Sequence, residues 1–259
     1  METTTQQQHN AAIVDQFTRQ AVPFAEMPNH SDEEAMRLTL ETIGVGPGDR
    51  VLDVACGPGI VACELARIAR HVTGSDLTPA MLEQARERQR QAGLTNVTWD
   101  QGDATALPYA DGAFDLVVTR YSFHHFLNPR AALAEMRRVC RPGGKLAVID
   151  VLVEPEASEA YDRMERLRDP SHVRALTPAD YEQLGRELQL EPVASAFYRL
   201  GMDLETILRS SFPNPGGADR IREIFQAELE QPVMGVGAVR EGNGVRYFYP
   251  VTVQVWRKP

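Results

Sequence analysis

Apolar and polar positions along the chain switch between two periods. Val51-Leu52-Asp53-Val54-Ala55 is a short, nearly unbroken apolar run, the pattern of a strand buried on both faces. Further strands are read at 71–75, 97–101, 114–119 and 145–151, the last two the most apolar. Between them the apolar residues recur at three and four positions, which predicts helices. One such helix spans 31–43, with Ser31 as its N-cap and Met36, Leu40 and Ile43 on one face. Others span 60–69, 79–92 (Thr78 as cap, Pro79 in the first turn) and 129–140. Cys56-Gly57-Pro58-Gly59, Asp111-Gly112 and Arg141-Pro142-Gly143-Gly144 read as turns.

Alternating strands and helices of this kind predict an α/β protein, a Rossmann-like parallel sheet with helices on both faces. Ligands of such sheets lie beyond the carboxyl ends of the strands. After residue 152 helices are expected at 156–168, 178–189, 203–211 and 218–230, with strands at 193–200 and 245–256. The gap between those two strands is too long for a hairpin and reads as a small helical cap inserted at about 200–244. The expected division is an N-terminal cap segment, 1–30, a ligand-binding core, 31–152, and a substrate-side half, 153–259.

Composition narrows the partners. The net charge of −9 argues against a nucleic-acid partner, whose phosphates require a basic face. No run of eighteen apolar residues predicts a membrane span. Three widely spaced cysteines form no disulfide framework, and a reducing cytoplasm suits them. No sequence feature decides between monomer and homodimer.

Candidate chemistry gathers at the strand ends. Gly57 to Ala62 matches G-x-G-x-x-A, which on its own suggests a dinucleotide and an NAD-dependent oxidoreductase. Asp53, four residues earlier, would repel a pyrophosphate and suits an ammonium or sulfonium instead. Asp76 ends the second strand, where an acid accepts from a ribose diol. Asp103 follows the third, in reach of an adenine amino group. Any one of these acids alone reads as a cap or loop carboxylate. Three at successive strand ends describe a pocket for a nucleoside joined to an amino acid, S-adenosylmethionine.

VLDVACGPG, GSDLTPAML, GDATALPYADGAFDLVVTRYSFHHF and EMRRVCRPGGKL resemble the class I S-adenosylmethionine-dependent methyltransferases, in the branch of the quinone-ring methylases and YcgJ-type proteins. The resemblance covers about 33–152 and, more weakly, 167–174. It implies a seven-stranded sheet whose last strand is antiparallel, and in-line methyl transfer to a small-molecule acceptor, at oxygen or carbon before nitrogen or sulfur. It also implies site residues: Asp53, Ala55, Gly57 and Gly59 around the methionine part, Asp76 on the ribose, Leu77 and Met81 lining the adenine pocket, Asp103 and Ala104 at the adenine edge. Arg120 and Tyr121 would lie beside the sulfonium, with Phe17 and Phe24 closing the pocket from above.

His124 and His125 follow the fourth strand. On an extended chain adjacent side chains point opposite ways, so at most one is expected to face a substrate. An imidazole there reads as a general base, as structure, or as a metal ligand; no H-x3-H or H-E-x-x-H spacing supports the metal. Arg168, Asp169, His172 and Arg174 form a second cluster, either a helix-end ion-pair network or a cationic wall for an acidic or polar substrate. Tyr161, Tyr198 and Phe212 are further candidates for lining that cavity. A module that binds S-adenosylmethionine without transferring its methyl group, a sensor, is the non-enzymatic alternative.

Overall fold

The computed structural model describes residues 5–26 and 32–259. In chain order the elements are α1 Thr5–Glu26, α2 Glu33–Ile43, β1 Arg50–Val54, α3 Ile60–Ala66, β2 His71–Asp76, α4 Pro79–Gln91, β3 Val97–Gln101 and β4 Phe114–Arg120. There follow a 3-10 turn Phe123–His125, α5 Pro129–Val139, β5 Cys140–Val151, α6 Pro155–Arg168, α7 Pro178–Glu187, β6 Glu191–Asp203, α8 Leu204–Ser211, α9 Gly217–Glu230, β7 Val239–Glu241 and β8 Gly244–Arg257. Ser31, the expected cap of α2, lies outside the described residues. Asp32 caps that helix, its side chain accepting from the Ala35 amide.

The strands form one sheet in the order β3-β2-β1-β4-β5-β8-β6, with β7 paired to β8. β1 to β5 are parallel, and β8 runs antiparallel to both β5 and β6. The seven-strand expectation describes the main path; the eighth strand is the three-residue β7, hairpinned onto β8. Alternate residues of the central strands feed two cores. Val51, Leu116, Val118, Ala147 and Ile149 pack on one face, and Leu52, Val54, Val117, Leu146 and Val148 on the other. Burial on both faces explains why these strands lack polar breaks.

Two local readings change. Residues 141–144 do not separate a helix from a strand; they bulge within β5. Phe114 pairs with Cys140 and Leu116 with Lys145, so four residues loop out opposite one. Thr78 occupies the cap of α4 but makes no side-chain cap bond. Its amide donates instead to Asp76 Oδ1, 2.8 Å, so the ligand-site acid performs the capping.

Candidate active site

The carboxyl ends of β1, β2 and β4 open into a cavity of about 1060 Å³ including its mouth. Asp53 sits at its base, 1% exposed, and its Oδ2 has no hydrogen-bond partner. Burial pushes the Asp53 carboxyl up to about 7; Arg120 opposes this, and Asp76 adds to it. A buried, unpaired carboxylate oxygen costs energy until a cation or donor reaches it.

Around it the backbone is unusual. Ala55 (φ 53°) and Tyr121 (φ 57°), just past β1 and β4, both adopt left-handed conformations, a strain of about 1–3 kcal/mol each that clusters at functional sites. Gly57 (φ 52°) needs no Cβ, and one added there would meet no atom within 4 Å, only open space. Its amide donates to Asp76 Oδ2, 2.8 Å, locking the acid that ends β2 to the loop that follows β1. Each Asp76 oxygen therefore holds a backbone amide, Thr78 on Oδ1 and Gly57 on Oδ2.

Asp53, Ala55, Gly57, Asp76, Leu77, Met81, Asp103, Ala104, Arg120 and Tyr121 all line this cavity. Gly59 does not. At φ 73° it turns toward the sheet, and a Cβ there would come within 2.6 Å of the Trp99 ring. Its glycine serves packing of the loop on Trp99, so its expected place around the methionine part is not the one it occupies.

Helix α1 roofs the cavity through Gln6, His9, Asn10, Ile13, Phe17 and Phe24. Asn10 Nδ2 donates to Asp103 Oδ2, 2.7 Å, while Asp103 Oδ1 takes the amide and hydroxyl of Thr105. Burial works against ionisation of Asp103, but these bonds hold it below the usual carboxylate range. His9 Nε2 donates to the His125 carbonyl, 2.7 Å. Neither His9 nor Asn10 was legible in sequence: they lie 116 and 93 residues from the groups they touch.

A second cavity, about 640 Å³, shares Phe17, Phe24, Tyr121 and His125 with the first. Tyr161, Leu200, Ile207, Tyr249, Val151 and Val251 give it apolar walls, and His124, Glu165, Arg168 and Asp169 a polar one. Both histidines reach it, contrary to the expectation of opposed side chains. They stand in a 3-10 turn, not an extended segment, and their rings lie 4.2 Å apart.

The two rings differ in their partners. His124 Nδ1 donates to Asp150 Oδ1, 2.6 Å, and Asp150 is fixed in turn by the Phe123 and Val151 amides. Burial alone would lower His124, but Asp150 raises it above the ordinary value. His125 Nδ1 donates to the Ser171 carbonyl, 3.1 Å, and its ring meets Phe17 edge-on at 5.1 Å. Burial, reinforced by His124, pushes His125 down to about 3, so it stays neutral.

The other substrate candidates divide. Tyr161 and Arg168 line the second cavity. His172 does not: it is buried behind His124, rings 5.5 Å apart, with Nε2 donating to Asp162 Oδ1 at 2.8 Å. Arg174 turns outward into an ion pair with Asp180, 2.7 Å, within the capping box of α7. Tyr198 bonds the Tyr121 hydroxyl, and Phe212 is exposed past α8, and neither lines the first or the second cavity. Among the described residues no group of three or more His, Cys, Asp or Glu could hold a metal ion.

The fold and site define a class: an α/β protein with one acid-floored nucleoside pocket and an adjoining chamber. Sequence comparisons place it within that class. A methyltransferase-domain family model matches residues 52–148. The uncharacterized methyltransferase YcgJ of Bacillus subtilis is 31% identical over 176 residues, 67% of this chain and 70% of YcgJ. UbiE of Shewanella pealeana, a ubiquinone/menaquinone biosynthesis C-methyltransferase, is 39% identical over 118 residues, 44% of this chain and less than half, 47%, of UbiE. The crystal structure of YcgJ superposes with a TM-score of 0.80 at 23% identity, over 87% of this chain and 99% of that one, which shows a common fold. The chain belongs to the class I S-adenosylmethionine-dependent methyltransferases.

The donor, S-adenosylmethionine, supplies a methyl group on a sulfonium. The residues present fit it. The orphaned Asp53 oxygen suits its ammonium, the Asp76 carboxylate at the end of β2 faces the same cavity where its ribose would lie, and the space beside Gly57 admits its methionine chain. That membership, with Gly59 packed on Trp99, sets the oxidoreductase alternative aside.

Proposed function

We propose that the protein methylates a small molecule, at oxygen or carbon, with the donor in the first cavity and the acceptor in the second. The observation that carries this is the shared wall of Phe17, Phe24, Tyr121 and His125, which puts the two chambers against each other beside Arg120 and Tyr121. Methyl transfer needs in-line alignment and exclusion of water, and both chambers lie beneath α1.

His124 is the base in this reading. Its Nδ1–H is committed to Asp150, so Nε2 carries the lone pair available to a proton in the second cavity. Asp150 acts through His124 and is a positioning residue. His125, neutral and bonded to Ser171, shapes the wall. The net charge of −9 supports a small-molecule rather than a nucleic-acid acceptor, and no described helix is long and apolar enough to cross a membrane.

The test is transfer of labelled methyl groups to a panel of phenols, enols and activated-carbon acceptors, with donor affinity measured beside it. Tight donor binding with no transfer to any acceptor would refute the reading in favour of a non-catalytic sensor.

A further inference from the structure

The polar wall of the second cavity holds one permanent cation, Arg168, and that cation is already engaged. Its Nε and Nη2 donate to Glu165 Oε2 at 3.0 and 2.6 Å, and its Nη1 donates to Ser211 Oγ at 3.0 Å. The other Glu165 oxygen accepts from the Tyr249 hydroxyl, 3.0 Å. The pair is deeply buried, with side chains 12% and 2% exposed. A guanidinium held by three bonds offers little to an incoming anion.

The ionisable groups beside Arg168 on this wall, Glu165, Asp169 and neutral His124, are acceptors. Asp169 lines the chamber with its Oδ1 taking the amide and hydroxyl of Ser171. His124 keeps Nε2 free to accept, since its Nδ1–H is committed to Asp150. Charge points the same way. Two carboxylates line the chamber, Glu165 and Asp169, against Arg168 and His124, and Asp150 stands behind His124. All three acids stay ionised, since nearby cations and hydrogen bonds outweigh the burial that would raise them. While His124 is neutral, the state in which it can take a proton, the lining carries more negative than positive charge, and an anionic acceptor would enter against it.

We infer that the second cavity selects an electrically neutral, hydroxyl-bearing acceptor with an apolar body, of phenol or enol type, and rejects carboxylates and phosphates. This rests on the assignment of the two chambers above and, of the two readings of Arg168 and its neighbours, takes the ion-pair network over the cationic wall. The acceptor hydroxyl gives its proton to His124 Nε2, its oxygen electron pair forms the new bond to the methyl carbon, and the carbon–sulfur bond breaks with its pair left on sulfur. The products are the methyl ether, S-adenosylhomocysteine and a protonated His124, so charge and atoms balance.

The matched probes 2-naphthol and 2-naphthoate test this by calorimetric titration of the full chain saturated with S-adenosylhomocysteine. Naphthol should bind, and naphthoate about tenfold or more weakly. Glu165→Gln frees Arg168 and should strengthen naphthoate about tenfold while leaving naphthol nearly unchanged. Naphthoate binding the wild type as tightly as naphthol would overturn the inference, as would a folded Glu165→Gln protein with unchanged preference. Binding of neither probe to the loaded protein would overturn it too. The wild-type comparison decides alone if the variant does not fold. Failure of S-adenosylhomocysteine to bind, measured in the same samples, would instead sink the chamber assignment.

Discussion

Donor affinity should depend on pH through Asp53. In the free protein its carboxyl titrates at about 7, because burial outweighs the help of Arg120. A ligand ammonium against the orphaned Oδ2 favours the ionised form and lowers that value, so binding below pH 7 must expel a proton. The sign is therefore weaker binding as pH falls. With a free-state value of 7 and an ionised bound state, affinity drops about thirtyfold between pH 8 and pH 5.5, or about 2 kcal/mol. Titration of S-adenosylhomocysteine in buffers of different ionisation enthalpy counts the protons directly: about 0.9 released at pH 6 and about 0.1 at pH 8. Asp53→Asn should bind weakly and lose this dependence. Affinity that is flat from pH 5.5 to 8 in the wild type would refute the placing of Asp53 against the ammonium.

His124→Ala should cut turnover about 100-fold or more with donor affinity nearly unchanged, as single-turnover kinetics and calorimetry will show. Asp150→Asn should lower kcat and move the acidic limb of its pH profile to lower pH, because the charge that raises His124 is gone. Asn10→Ala should speed S-adenosylhomocysteine release a few-fold in stopped flow, since a bond worth about 1 kcal/mol holding α1 to Asp103 is lost. Gly59→Ala should lower stability by about 2 kcal/mol or more in thermal or urea unfolding, from left-handed strain and the clash with Trp99.

The central strands were legible because they are buried on both faces and read as apolar runs; the exposed edge strand 97–101 and the helix 79–91 were legible from the alternation of elements around them. The donor pocket was legible for the same reason, since Asp53, Asp76 and Asp103 stand at fixed offsets from those strands. What escaped was long-range or turn-dependent. The histidine pair was misread because a three-residue 3-10 turn leaves no mark on the hydrophobic pattern. Arg174 looked like part of a binding wall, but a local partner, Asp180, claims it. Gly59 looked like ligand contact because its sequence neighbour Gly57 is the residue on the cavity, while Trp99 is forty residues away. His9 and Asn10 belong to a mostly polar helix whose site partners are distant in sequence.

The strand order carries a consequence for how such a protein diversifies. Asp53, Gly57, Asp76 and Asp103 all precede residue 104, whereas Val151, Tyr161, Leu200, Ile207 and Val251 belong to β5 and later elements. Drift in the C-terminal part can therefore reshape the second cavity while these residues of the first stay intact. Exchanges at Leu200, Ile207 and Val251 are accordingly the natural place to retarget this scaffold to new acceptors.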